Sequence, residues 1–138
     1  MKNVLVDSDV ILDFFFDRQP FSKDAAIILS NCESRVINGH VTSVIVSNVY
    51  YLLRQVAKHE KVIEKLGYLL SFLDVVITDK KIIIQALNSR FNDFEDAIQN
   101  FSAENSGNID AIITRNIKDY KNSSLSVMTP SEYIIVLK

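Results

Sequence analysis

Residues 3–15 read NVLVDSDVILDFF, an apolar run, two acids separated by one serine, and a second apolar run. Both flanks have the composition of buried segments, so Asp7 and Asp9 sit at the margin of an interior. A carboxylate taken out of water costs several kcal/mol unless it is paired, hydrogen-bonded or bound to a cation, comparable with the whole stability of a small domain. The chain must therefore fold so that something compensates these acids.

The rest of the chain alternates short apolar segments with helical patterns. NVLV at 3–6 fits a strand buried on both faces, with Asp7 directly on its carboxyl end. Asp9 is expected to cap a helix over 10–16, and Ser22 a second helix that ends before Gly39. His40 to Thr42 reads as a strand, and Ser43 opens an amphipathic helix with Val46, Val49, Tyr50, Leu53 and Val56 at three- and four-residue spacings. A helix follows over 60–72, then a strand over 74–78, and Asp79 caps a helix that runs to Leu87. The remaining elements are a helix over 94–105, strands over 109–114 and 125–128, and a helix opened by Thr129, Pro130 and Glu132, the last a capping-box glutamate. Strands alternating with helices imply a parallel α/β sheet covered on both faces.

With 138 residues, 48% of them hydrophobic and 23% charged, a single domain over 1–138 is expected, and the three glycines and two prolines are too scattered to form a linker. No stretch approaches the ~20 apolar residues of a membrane helix, and the N-terminus lacks the apolar core of a signal peptide, so a cytoplasmic location is expected. The one cysteine, Cys32, excludes an intrachain disulfide and reads as a small buried hydrophobe. A net charge of −2 excludes the basic footprint of a tight nucleic-acid binder, though not a transient nucleic-acid substrate.

In open parallel sheets, ligands bind outside the carboxyl ends of the strands, near the point where strand order reverses. Asp7 meets that condition, and a strand ending near Thr114 brings Asn116 and Asp119 toward it. Asp96, in the first turn of a helix, and Asp93 just before it are further candidates, although capping alone would also place acids there. Asp110 begins its strand, and four residues at ~3.3 Å each put it more than ~10 Å from the other end, so it reads as structural. Three carboxylates from distant segments, with no cysteine or suitably spaced histidine beside them, suit Mg²⁺ or Mn²⁺ and phosphodiester hydrolysis.

VDSDVILD, TSVIVSNVYYLL, DFEDAIQ, ITRNIKDY and TPSEY, in this order over nearly the whole chain, resemble the PIN domain, especially bacterial PIN proteins of the toxin type. The resemblance implies a three-layer α/β/α fold with a mainly five-stranded parallel sheet. It also implies a ribonuclease dependent on Mg²⁺ or Mn²⁺ at a cluster of acids. By that likeness the first family acid falls on Asp7, the third on Asp96 and the fourth on Asp119 or Asn116. The second does not match: where the pattern has a glutamate in the long helix, this chain has Asn48, which offers a neutral oxygen and one negative charge less. Asp9 stands where the pattern is usually uncharged and partly restores that charge. The implied partners are an RNA substrate, an antitoxin protein and a second copy of the chain, with no membrane.

The main competing expectation is a PIN-fold module that binds nucleic acid or regulates without turnover, because of Asn48. A receiver-like domain is disfavoured, since no later strand ends in a phospho-accepting aspartate in the expected order. Arg18, Arg54, Arg115, Lys118 and Lys121 are candidates to border a phosphate groove, with ordinary solvated surface as the default for most of them. A mid-helix asparagine such as Asn48 is expected to face solvent.

Overall fold

The computed structural model describes residues 2–137. The chain runs through β1 (Asn3–Val6), α1 (Ser8–Phe15), α2 (Ser22–Glu33), β2 (Asn38–Val41), α3 (Ser43–Leu53), α4 (His59–Leu70) and β3 (Leu73–Val75). It continues through α5 (Lys80–Leu87), α6 (Phe94–Ser106), β4 (Ala111–Ile113), a 3-10 turn (Ile117–Tyr120), β5 (Ser126–Met128) and α7 (Pro130–Leu137). The five strands form one parallel sheet in the order β3-β2-β1-β4-β5.

Val4, Leu5 and Val6 are all fully buried, as are Ala111, Ile112 and Ile113. Successive strand residues point to opposite faces, so complete burial of three in a row requires helices on both sides. The result is the three-layer α/β/α sandwich expected from the sequence. The chain winds outward from β1 through β2 to β3, then returns to the other side of β1 with β4 and β5. Strand order therefore reverses between β1 and β4, whose carboxyl ends carry Asp7 and Thr114.

Local signals set most of the helix starts. Thr42, Asp79 and Asp93 accept the N–H groups of Ile45, Ile82 and Asp96, and Thr129 with Glu132 forms the reciprocal capping box predicted from TPSE. Two caps differ from expectation. The cap of α1 is Asp7 rather than Asp9: β1 ends at Val6, Asp7 keeps an extended backbone and accepts the Ser8 N–H, and Asp9 lies inside the first turn. Phe21 precedes α2 without a side-chain cap, while the Ser22 hydroxyl is donated to Asp17 instead. β2 begins earlier than expected, at Asn38, and β3 ends at Val75 rather than Thr78.

Gly39 is required by a close approach: a Cβ there would lie 2.6 Å from both the Cys32 sulfur on α2 and a Leu73 methyl on β3. Gly107 ends α6 with φ +79, in the left-handed region that favours glycine. Asp110 accepts the N–H groups of Lys2 and Asn3 and so fastens the amino end of β1, the structural role expected of it.

Candidate active site

β1 and β4 place the central acid. The Asp7 N–H continues the ladder to the Ile113 carbonyl, which leaves the Asp7 side chain at the carboxyl edge, 7% exposed. Its Oδ1 accepts the Ser8 N–H at 2.8 Å, and its Oδ2 accepts hydroxyls from Thr114 at 3.0 Å and Tyr120 at 3.1 Å. The Tyr120 hydroxyl also lies 3.4 Å from Oδ1 of Asp96, in the first turn of α6. The two carboxylates, 89 residues apart in sequence, are thus separated by no more than two hydrogen bonds end to end. Tyr120 has a single phenolic hydrogen to divide between them.

Asp9 forms the adjoining group. Its Oδ2 accepts from the Thr114 hydroxyl at 3.2 Å, the Arg115 N–H at 3.1 Å and the Asn116 amide at 3.2 Å, while its Oδ1 is buried without a partner among the described residues. Thr114 likewise has one hydrogen for two acids, Asp7 and Asp9.

The charges are crowded. Burial pushes the Asp7 carboxyl above its ordinary range, opposed by hydrogen bonds from Ser8, Thr114 and Tyr120 and reinforced by the charge of Asp119. Burial, then the charge of Asp7, raises Asp9 to about 7. Asp96 is raised to about 7 by burial and by the charges of Asp7, Asp93 and Asp119. Burial and the surrounding acids push the Tyr120 phenol far above its ordinary value, so it remains a donor.

Of the sequence candidates, Asp7 and Asp96 meet at Tyr120, and Asp119 lies close enough for its charge to act on both. Asn116 sits on the other side, against Asp9. Asn48 does not face open solvent: half-buried on α3, its amide is donated to Glu95 at 2.8 Å, the residue beside Asp96. It makes no hydrogen bond to Asp7 or Asp96 among the described residues.

Three of the basic candidates are occupied elsewhere. Arg115 forms a bidentate pair with the buried Asp13 at 2.8 and 3.0 Å and stacks over Phe21, and Arg18 lies 3.5 Å from the same carboxylate. Arg54 donates to the Ala57 carbonyl. Lys118 and Lys121, in contrast, line a cavity of about 330 Å³ with Phe91, Asp93, Asp119 and Asn122, next to the acids.

The donors that converge here are all oxygens, one of them buried and unpartnered, and their mutual repulsion is the kind that a bound cation relieves. Among the described residues no three Asp, Glu, His or Cys side chains form a preformed metal cage. Mg²⁺ does not need one, since it is commonly held by one or two carboxylates with waters and substrate phosphates completing its shell. The residues therefore fit a hard divalent ion. Sequence reasoning missed Tyr120, Thr114 as a donor, and Glu95.

Comparison with known proteins agrees with this architecture. No curated protein matches the sequence. Among solved structures, the chain is similar to a toxin-antitoxin complex from Klebsiella pneumoniae at 20% identity and a TM-score of 0.69, covering 93% of this chain and 98% of that one. It is also similar to VapBC2 from Rickettsia felis bound to a promoter DNA fragment, at 15% identity and a TM-score of 0.64, over 91% and 96% of the two chains. Mycobacterium tuberculosis VapC20, a toxin that cleaves the sarcin-ricin loop, matches at 14% identity and a TM-score of 0.60, over 80% and 87%. At these identities the likeness is one of fold. The sequence model of the PIN domain matches residues 3–118, and the chain belongs to the PIN domain family.

Proposed function

We propose that this protein is a ribonuclease dependent on Mg²⁺ or Mn²⁺, the toxin of a toxin-antitoxin pair, acting in the cytoplasm. The observation that carries this reading is the meeting of Asp7 and Asp96 on one buried hydroxyl at the strand-order reversal, with Asp119 beside them. Asp7, Asp96 and Asp119 would hold the ion, with Asn116 contributing through Asp9. When bound, it would activate the attacking water and stabilise negative charge on the phosphate and leaving oxygens. Thr114 and Tyr120 orient the Asp7 carboxylate, and Tyr120 fixes its spacing from Asp96. Lys118 and Lys121 offer the adjoining cavity two cations for RNA phosphates.

The likeness to toxins solved with their antitoxins supports an antitoxin as the natural partner. A second copy of the chain is a further expected partner.

A binding or regulatory module without turnover is the second reading. It is favoured by Asn48, which brings no charge to this edge and spends its amide on Glu95. Cleavage of mixed RNA with Mn²⁺ or Mg²⁺, with and without EDTA, separates the two. Asp7→Asn is expected to abolish cleavage and Asp110→Asn to leave it nearly unchanged. Cleavage that survives EDTA, or equal loss in both folded variants, would refute the assignment, and RNA binding without cleavage would establish the second reading.

A further inference from the structure

A second cavity, about 560 Å³, lies at the β3 margin of the sheet, lined in part by His40, Asp74, Asp79, Lys81, Asn105 and Asn108. His40, 7% exposed, is its most buried polar group. The His40 Nδ1 lies 3.0 Å from the Asn38 carbonyl and 3.3 Å from that of Val4. Both are acceptors, so Nδ1 carries the hydrogen, and in the neutral ring Nε2 is then an acceptor. Nε2 has no hydrogen-bond partner among the described residues and is not sealed in, so it opens onto the cavity that the ring lines.

The remaining lining is also rich in acceptors. Asp74 is in register with His40 on the neighbouring strand and so shares its face. Asp79 spends Oδ1 on the Ile82 N–H, which leaves Oδ2. Asn105 gives its amide nitrogen to Gln85 and the Phe101 carbonyl, which leaves its oxygen. Lys81 is the one ammonium set against two carboxylates. Two carboxylates against one ammonium, together with the free amide oxygen and ring nitrogen, fit an organic cation with many N–H donors. A guanidinium, with five donors in one plane, matches such a lining better than an ammonium with three.

The cavity opens beside an unpaired sheet edge. β3 is the outermost strand, with Val75 at its end 51% exposed and Ile77, two residues beyond it, 78% exposed. An exposed apolar edge is a template for an added strand, whose main chain supplies affinity while alternate side chains enter pockets.

We propose that this margin is a docking site for an extended peptide segment of a partner protein, which pairs with the outer edge of β3 and places an arginine side chain in the His40–Asp74 cavity. The cavity abuts the carboxyl end of α6, whereas Asp96 lies at its amino end, roughly 15 Å away at ~1.5 Å per residue. The site is thus separate from the acid cluster and does not rest on the nuclease reading.

The test uses the whole protein and a blocked pentapeptide, acetyl-Val-Thr-Arg-Val-Thr-amide, titrated by calorimetry and by amide NMR shifts. Saturable binding with shifts at 73–77 and 105–108 is expected, weakened at least tenfold when citrulline replaces the arginine. Asp74→Asn, an exposed substitution, should weaken binding to the same degree. His40→Asn, which keeps a donor where Nδ1 stands and deletes Nε2, should do likewise. Absence of saturable binding, equal binding of the citrulline peptide, or full affinity in folded Asp74→Asn would overturn the proposal. Binding of acetyl-arginine-amide as tight as the peptide would also overturn it, by showing a small-molecule site in place of a docking edge.

Discussion

Replacing Asn48 by glutamate supplies the acid that the resemblance to the family's pattern implies at this position, and the structure states what that acid would meet. The Asn48 amide now donates to Glu95 Oε2 at 2.8 Å, so a carboxylate in its place would face another. Two unit charges ~4 Å apart repel by about 1 kcal/mol in a water-like medium, the appropriate limit for this exposed rim. Loss of a hydrogen bond to a charged acceptor at such a site adds about 1 kcal/mol. For a chain of this length the unfolding entropy is ~290 cal/mol/K, so about 2 kcal/mol corresponds to a fall of ~7 °C in Tm. Asn48→Gln is the reference, since it matches glutamate in size and helix propensity and differs in charge alone. Calorimetric melting in metal-free, low-salt buffer should place the Glu variant ~7 °C below the Gln variant. In 1 M NaCl, where the screening length is ~3 Å, roughly half of the gap should disappear. Titration should show tighter Mn²⁺ binding by the Glu variant, because affinity at oxygen sites rises with ligand charge. Equal melting of the two variants would refute the pairing of position 48 with Glu95. A salt-dependent gap with unchanged Mn²⁺ affinity would place that pair outside the cation site.

Three further outcomes are expected. Asp9 and Asp96 are raised to about 7 in the fold, so the folded protein binds more protons than the unfolded chain between about 3.8 and 7. Their contribution to stability is therefore present at low pH and lost as pH rises through 7, so metal-free Tm should climb on acidification from pH 8 to 5, a slope that saturating Mn²⁺ should flatten. Tyr120→Phe removes a donor that favours the ionised form of Asp7 and Asp96, and should move the pH midpoint of Mn²⁺ binding upward; an unmoved midpoint would make Tyr120 packing alone. Arg115→Leu leaves Asp13, 1% exposed, with the 3.5 Å Arg18 contact as its one remaining ion pair among the described residues, and should cost about 3 kcal/mol, or ~10 °C in Tm, much of it regained when Asp13→Leu is added.

Asp7 and Asp96 could be read from the sequence because their signals are local, an acid closing an apolar strand and an acid in the first turn of a helix. The group that joins them could not. Tyr120 in KDY reads as a polar loop with an aromatic, and its two partners lie 113 and 24 residues away. The choice between Asp7 and Asp9 as the α1 cap was equally closed to sequence, because either satisfies the capping rule and the end of β1 decides. Taken alone, Arg115 reads as a solvated cation, and the signal to the contrary lies in its partner Asp13. An acid within the apolar run VILDFF needs a partner. Glu95 follows the same logic: its relation to Asn48 depends on how α3 crosses α6, which no spacing encodes.

The position of β1 in the middle of the sheet has a consequence for synthesis. Its partner on one side is β2, available early, but on the other it is β4, more than 100 residues later. Asp7 takes its hydroxyl donors from Thr114 and Tyr120, so the residue that opens the site is made more than 100 residues before those that complete it. At ~5–20 residues per second, several seconds separate them. A chain on which Tyr120 has not yet been made, or one truncated before it, cannot hold Asp7 and Asp96 together through that hydroxyl, so the acid pair waits for a segment more than 100 residues downstream of its first member.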